Sequence, residues 1–303
     1  MAILVTGSSG FLGKALTYRL TRAGHNVYGL SRHPLSGENL VPLSGDITRP
    51  NLGLKEIPKD IAATYHLAAV HRLGENQSEE IWQTNVGGTA NVIEFCKKHE
   101  IPRLIFVSSA YTHGRNPYER SKAVCEWMVR NSGIPKVTIL KPSIIMGTPQ
   151  HFYPGHVSQF IALLIKVHER AEVVRRKIEG SLQLPVLRPV FRLSANPEGR
   201  LNLISIEDVA NAIAEIEQPG TFWLTHPEPP TIGMLVEWIS ELLMVDIKIE
   251  PLFKPSPVEA AFQKLAKAFE PYLWGDDFPS NLTDVEPIDR EFIYNTIKLT
   301  LFG

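Results

Sequence analysis

"VTGSSGFLGKAL" (Val5–Leu16) sets Gly7, Gly10 and Gly13 at a GxxGxxG spacing, directly after an apolar run and at the opening of an amphipathic stretch. Each glycine answers its own demand. Gly7 permits a tight turn, Gly10 lets a phosphate approach backbone N–H groups, and Gly13 lets a helix pack closely on a strand. The N-terminus of that helix favours negative charge. Glycine triplets also occur in loops without ligands, so the flanking pattern decides. Here a strand, a loop and a helix follow in the order a dinucleotide site requires.

The same rhythm continues outward. "AILVTG" (2–7), "HNVYGLSR" (25–32), "LVPLSGDI" (40–47), "ATYHLAA" (63–69), "RLIFVSS" (103–109) and "KVTILKP" (136–142) read as strands. Helices are expected over 10–24, 78–99 and 117–131. Strands apolar on both faces and separated by helices imply a parallel sheet covered on both sides. That is α/β, doubly wound architecture, a Rossmann fold. Residues 148–200 break the rhythm with five prolines and one amphipathic helix near 157–177. A strand over 200–206, a helix over 207–218, a strand over 221–226, a helix over 231–243, a strand over 245–251 and a mainly helical 256–303 follow. The expected organisation is a nucleotide-binding domain, 1–147 plus 200–226, interleaved with a smaller C-terminal α/β substrate lobe, 148–199 plus 227–303.

Composition narrows the class. The 303 residues are 44% hydrophobic and 21% charged, with a formal net charge of -1. No general field for nucleic acid is expected from that balance. Two cysteines, Cys96 and Cys125, are too few for a disulfide framework and point to a reducing, cytoplasmic setting. The opening apolar run ends at Thr6–Gly7, far short of a membrane span or a signal peptide. The histidines His66, His71, His151 and His156 show no metal-ligand pairing, so no metal is expected. A symmetric homodimer is the default expectation for any assembly.

NAD sites usually carry an acid about 20 residues beyond the loop, on the adenosine ribose. Between Lys14 and Gly37 there is no Asp or Glu; the second strand ends in Ser31, Arg32 and His33 instead. A guanidinium there can grip a 2′-phosphate, so NADP(H) is expected over NAD(H), against the plainer reading of a solvated surface arginine. Asp46 is placed either to bond the adenine amino group or to cap a turn with Gly45.

Downstream, "VSSAYTHGRNPYERSK" (107–122) places Ser109 at the end of a strand, and Tyr118 and Lys122 one helical turn apart. A phenol near pKa 10 is a poor acid–base group at neutral pH, and an adjacent ammonium is expected to lower it. Tyr118 could then exchange a proton with a substrate oxygen that Ser109 polarises. Tyr-x-x-x-Lys alone is common, and packing of a Tyr stem beside a solvated Lys is the bland reading.

Taken together, "TGSSGFLG" (6–13), "GDIT" (45–48), "HLAA" (66–69), "TNVGGT" (84–89), "VSSAYTHG" (107–114), "YERSK" (118–122), "LKPSIIMG" (140–147) and "ISIEDVANAI" (204–213) resemble the extended short-chain dehydrogenase/reductase family, epimerase/dehydratase-like. The resemblance implies Ser109, Tyr118, Lys122 and Asn85 as the catalytic set, with Asn85 tying a proton relay to the lysine. It implies a cofactor held by Thr6, Gly7, Ser9, Gly10, Phe11, Leu12, Gly13, Ser31, Arg32, Asp46, Ile47, Leu67, Ala68, Ala69, Tyr118 and Lys122. Pro142 and Ile145 would border the nicotinamide. Ser108 is the neighbouring alternative to Ser109. One departure is His113, where the family often has Tyr.

The second half is similar, in patches, to the thioester and fatty-acyl reductase branch. The leading expectation is an NADP(H)-dependent reductase of an aldehyde, ketone or acyl thioester, free or carrier-linked. The alternatives are a sugar-nucleotide epimerase or dehydratase and, below both, a dinucleotide-binding regulator. Arg188, Arg192 and Arg200 are candidates for a substrate phosphate, though local acid pairing is the commoner use of such arginines. Aromatics at 222, 223, 238, 262 and 269 could line an apolar pocket, with core packing the commoner role.

Overall fold

The structure, a computed structural model, describes residues 1–73, 78–151, 153, 155–185 and 190–302. In chain order the strands are β1 (Ala2–Thr6), β2 (Asn26–Ser31), β3 (Leu40–Ser44), β4 (Ile61–His66), β5 (Arg103–Val107), β6 (Lys136–Pro142), β7 (Ile144–Met146), β8 (Phe191–Leu193), β9 (Leu203–Ser205), β10 (Gly220–Leu224) and β11 (Ile247–Ile249). The helices are α1 (Phe11–Arg22), α2 (Ser78–Ile81), α3 (Gly88–Lys98), α4 (Pro117–Arg130), α5 (His156–Leu182), α6 (Ile206–Glu215), α7 (Ile232–Leu243), α8 (Pro257–Ala266) and α9 (Arg290–Phe302). Among the described residues, no helix is long and apolar enough to cross a membrane.

The chain divides into two compact units. The first holds Met1–Ile145, Ile206–Pro227 and Phe278–Val285; the second holds Met146–Ser205, Glu228–Asp277 and Glu286–Gly303.

In the first unit seven strands form one sheet in the order β10-β6-β5-β4-β1-β2-β3. Every pairing in it is parallel. Ile3, Leu4 and Val5 of central β1 have no exposed surface, as a strand covered by helices on both faces must. The strand order reverses between β1 and β4. Ligands of open α/β sheets bind at that switch point, beyond the strands' carboxyl ends. The stretch read as one helix over 78–99 is interrupted: Trp82–Gly87 forms a π-helical turn between α2 and α3. Such bulges widen a helix locally and recur at functional sites.

Segment 278–285 belongs to this unit because it lies along β10. The Asn281 N–H donates to the Trp223 carbonyl at 3.0 Å. Asn281 Oδ1 accepts from the Trp223 N–H at 2.7 Å, and Thr225 Oγ1 donates to the Pro279 carbonyl at 2.6 Å. Nothing in the local pattern of "FPSNLTDV" announces this edge. Residues 200–205 cluster with the second unit.

The second unit is built on α5, which runs five residues beyond the expected end at 177, and on a small parallel pair, β11 and β8. β8 is three residues long within a stretch that reads as irregular, too short for a period-2 signal. Thr231 caps α7 through the Met234 N–H, and Ser256 with Glu259 forms a reciprocal capping box on α8. Phe262 is buried and packs edge-on against Phe191 and Phe160, with ring centroids 4.9 and 5.5 Å apart. It is a core residue.

Candidate functional site

The glycine loop closes as its spacing demands at two of three positions. Gly7 has φ +76°, and a Cβ there would lie 2.8 Å from the Ala68 nitrogen. Gly13 leaves no room for a Cβ against the Gly7 carbonyl. Gly10 is different. A Cβ would meet only the Gly7 oxygen at 3.2 Å, and the residue is exposed. The protein's own packing does not require glycine at this point, whereas the close approach of a phosphate does. α1 begins here without a side-chain cap and without an acid in its first turn. Its leading N–H groups therefore suit an anion.

Behind the loop runs a buried hydrogen-bonded chain. Thr6 Oγ1 lies 2.8 Å from His66 Nδ1, and His66 Nε2 lies 3.1 Å from Thr89 Oγ1. Thr89 donates its proton to the Asn85 carbonyl at 2.6 Å, so it must accept from His66 Nε2–H. His66 Nδ1 is then the acceptor, and Thr6 the donor. Burial pushes the imidazole down to about 3, aided by the Lys122 charge, which keeps the ring neutral. Thr6 is thus a support beneath the loop. Leu67 and Ala68 bond back to Thr6 through their N–H groups, and Phe11, Leu12 and Ile145 pack around Ala15, Ile206 and Ala210. Leu67, Ala68 and Ala69 stay half-buried beyond β4, and Ser9 is half-buried in the loop.

At the end of β2, the Ser31 hydroxyl is buried with no hydrogen-bond partner among the described residues. Arg32 beside it is exposed and close enough to Asp46 to act on its charge. Asp46 takes both the N–H and the hydroxyl of Thr48 on one oxygen, at 2.9 and 2.8 Å. Burial raises this carboxyl, but Thr48 and then Arg32 and Arg49 outweigh it and leave it below its ordinary value. So Asp46 caps a turn, with its partner being Thr48. Ile47 is 5% exposed and sits in the apolar core, so only its backbone can face a ligand.

The reacting groups assemble beyond β5. Asn116 caps α4 by accepting the Glu119 N–H at 3.0 Å, and Pro117 follows at the first helical position. This fixes where Tyr118 and Lys122 emerge. Ser109 lies close enough to the Tyr118 phenol to act on its pKa, and its Oγ accepts the Tyr111 N–H at 3.1 Å. Ser108 points to the other face and donates to Glu126 Oε1 at 2.5 Å. Lys122 is 4% exposed and donates to the Val107 carbonyl at 2.8 Å. Its Nζ stands 4.9 Å from the Phe106 ring centroid and 5.9 Å from that of Tyr118.

One expectation needs correction. Burial pushes the phenol up to about 12, Ser109 pulls the other way, and Lys122 is not among the groups that lower it. The lysine itself is drawn down to about 8 by burial. Desolvation therefore outweighs their mutual attraction, and Tyr118 is a protonated phenol at neutral pH. Asn85 lies in the π-helical turn before α3. Its amide donates to the Val70 carbonyl and to Ser121 Oγ, at 3.0 and 2.9 Å, and accepts the Val70 N–H at 2.8 Å. Its carbonyl already receives Thr89 and Cys125.

Pro142 closes β6, and its carbonyl accepts the Ala110 N–H at 2.7 Å, which holds the serine loop beside it. Among the candidate phosphate arginines, Arg188 lies outside the described residues. Arg192 is paired with Glu259, and Arg200 donates to the Pro229 carbonyl. Local partners take both.

Sequence reasoning passed over Glu126, Lys141, Thr112 and Phe278. Glu126 sits four residues beyond Lys122, on the same helix face, and that spacing was the available signal.

Comparison with known proteins gives the following. The family model for the NAD dependent epimerase/dehydratase family matches residues 3–219. The 2-alkyl-3-oxoalkanoate reductase of Stenotrophomonas maltophilia is 30% identical over 205 residues, 59% of this chain and 58% of that protein. The UDP-glucose 4-epimerase of Yersinia pestis is 28% identical over 205 residues, 54% of this chain and 61% of that protein. The chain thus spans about three fifths of these relatives' length. Among solved structures, the terminal R domain from the myxalamid PKS-NRPS biosynthetic pathway superposes with a TM-score of 0.73 at 20% identity, covering 98% of this chain and 89% of that one.

Proposed function

Since the chain belongs to the NAD dependent epimerase/dehydratase family, we propose that it is an NADP(H)-dependent reductase of a carbonyl group, in an aldehyde, ketone or acyl thioester. The observation that carries this reading is a protonated Tyr118 phenol beside Ser109, with Lys122 one turn along α4. With a pKa of about 12 the phenol stays protonated at neutral pH, so it holds a proton that the more basic alkoxide developing on a reduced carbonyl can take.

The dinucleotide, when bound, supplies the hydride. Residues of the chain fit such a group: Gly10 and the uncapped start of α1 for the pyrophosphate, and the buried Ser31 hydroxyl with exposed Arg32 for a 2′-phosphate. The absence of any acid between Lys14 and Gly37 supports NADP(H) over NAD(H). Ser109 and Tyr118 would grip the carbonyl oxygen together. As negative charge develops there, Tyr118 hands over its proton and Ser109 donates a hydrogen bond. Lys122, one donor spent on the Val107 carbonyl, keeps N–H groups and charge available to offset the phenolate left behind. Holding both hydroxyls before the substrate arrives lowers the reorganisation the reaction must otherwise supply.

A second reading, a sugar-nucleotide epimerase or dehydratase, is favoured by the family description and by the Yersinia relative. Two measurements separate them. Purified protein is denatured mildly and the released nucleotide identified, and NADPH consumption is followed across a panel of aldehydes, ketones and acyl thioesters. Stoichiometric NAD with no NADPH consumption would replace the first reading by the second.

A further inference from the structure

The loop carrying Ser109 is fastened at both ends to one buried ion pair. Glu126 of α4 meets Lys141 of β6 with Nζ and Oε1 2.5 Å apart and side-chain exposures of 12% and 5%. Ser108 Oγ donates to that same carboxylate oxygen, at 2.5 Å. Lys141 Nζ also donates to Thr112 Oγ1 at 3.1 Å and stands 4.8 Å from the Trp223 ring centroid. Trp223 in turn stacks on Phe278, which stacks on His113, with centroids 5.8 and 5.9 Å apart. Side chains alternate along extended backbone, so anchoring Ser108 on one face turns Ser109 to the other, toward Tyr118. The attachments also bridge the right parts. Glu126 lies eight residues beyond Tyr118 on the same rigid helix, while Lys141 belongs to the neighbouring strand.

Burying two charges is costly, and a well-packed apolar pair of similar volume is often as stable. Stability alone gives little reason to keep this pair. We propose that Glu126 and Lys141 are positioning residues: together they clamp Ser108 to α4 and Thr112 to β6, and so hold the Ser109 hydroxyl against the Tyr118 phenol. The inference rests on reading Ser109 and Tyr118 as the reacting pair, but its decisive readout does not need turnover.

The test compares Glu126→Gln, Lys141→Met and the double variant. Each single substitution strands a buried charge and lowers the melting temperature; the double removes both charges and recovers much of it. In a crystal structure of the double variant, Ser109 Oγ moves away from the Tyr118 hydroxyl relative to the unmodified protein. With NADPH and the best carbonyl of the panel, kcat falls about 100-fold while NADPH affinity holds, the loss expected when a reacting group shifts by about an ångström. A double variant that recovers stability with Ser109 unmoved relative to Tyr118 overturns the proposal. Should the double fail to fold, Ser108→Ala/Thr112→Val cuts the two attachments and leaves the ion pair intact. The proposal then requires the same displacement of Ser109, and an unmoved Ser109 refutes it. If Tyr118→Phe turned over normally, the reductase reading would fall, and the Ser109–Tyr118 distance would still decide the clamp.

Discussion

In the first unit Glu126 meets Lys141 beside a loop that carries a candidate reacting hydroxyl; in the second, Glu259 meets Arg192 at the start of α8. Glu259 is saturated. It accepts the backbone and Nε of Arg192 on one oxygen, at 3.0 and 2.9 Å, and Nη2 with the Ser256 N–H on the other, at 2.9 and 2.7 Å. Burial would raise its carboxyl, yet these donors hold it down to about 2. Around the first unit's site the balance is reversed. His66, Lys122 and Tyr118 are pushed by burial toward their neutral forms, to about 3, about 8 and about 12. A carboxylate with every lone pair occupied fastens elements together and has nothing left for a ligand. Tyr118 keeps its proton, and Lys122, still charged at neutral pH, keeps N–H groups unspent, so both are suited to charge that appears during a reaction.

The largest effect that could break this contrast is in turnover. Tyr118→Phe should lower kcat about 1,000-fold with NADPH affinity near normal, since general acid catalysis is worth roughly that much. Normal turnover in that variant would remove the chemical meaning of the neutral phenol. Next comes Arg32→Ala. Losing charge-assisted bonds to a 2′-phosphate should weaken NADPH by about 10- to 100-fold and NADH hardly at all, measured by fluorescence titration. Equal losses would mean that Arg32 makes no distinction between the two cofactors.

The third prediction sharpens the comparison through pH. Lys122 has its pKa lowered from 10.5 to about 8 on folding, so the unfolded chain binds more protons between those values. Stability should therefore rise with pH from about 8 to 10.5, and Lys122→Met should flatten that rise in denaturant melts across the same range. Tyr118 works in the opposite sense in a separate window, costing stability between 10.0 and about 12. The reduction rate should decline above pH about 8 as the ammonium is lost. A decline at the same pH in Lys122→Arg would show that another group sets it.

How much of this was legible in the sequence follows from how locally each feature is encoded. The parallel sheet was legible, because strands buried on both faces are written as apolar runs such as "AILV". The Ser109, Tyr118 and Lys122 cluster was also legible, since a strand end and one helical turn suffice to bring the three side chains together. What failed to show depends on contacts across the chain. Asn85 bonds Val70 and Ser121 from a π-helical turn that no periodicity reveals. The expected lowering of Tyr118 treated its neighbour as a charge in water, and burial reverses the sign. Phe278 lies 55 residues beyond Trp223, on which it stacks, and Lys141 finds its partner Glu126 on a different element, 15 residues earlier.

The smallest expected effect tests the other half of the contrast. Glu259→Gln keeps the shape of the side chain but gives up the ion pair and replaces an acceptor oxygen with an N–H₂ donor. It should cost about 2 kcal/mol at neutral pH, the scale of hydrogen bonds to a charged group, with Arg192 exposed enough to be partly rehydrated. The sign with pH follows from a folded value held below the ordinary 4.5. The stabilisation is complete above 4.5 and is lost as pH falls toward about 2, so wild type and variant should converge in acid. NADPH affinity should not change, because Glu259 serves the β8–α8 junction and the cofactor residues lie in the first unit. A variant that melts normally but binds NADPH poorly would reverse the assignment, making the saturated carboxylate the functional one.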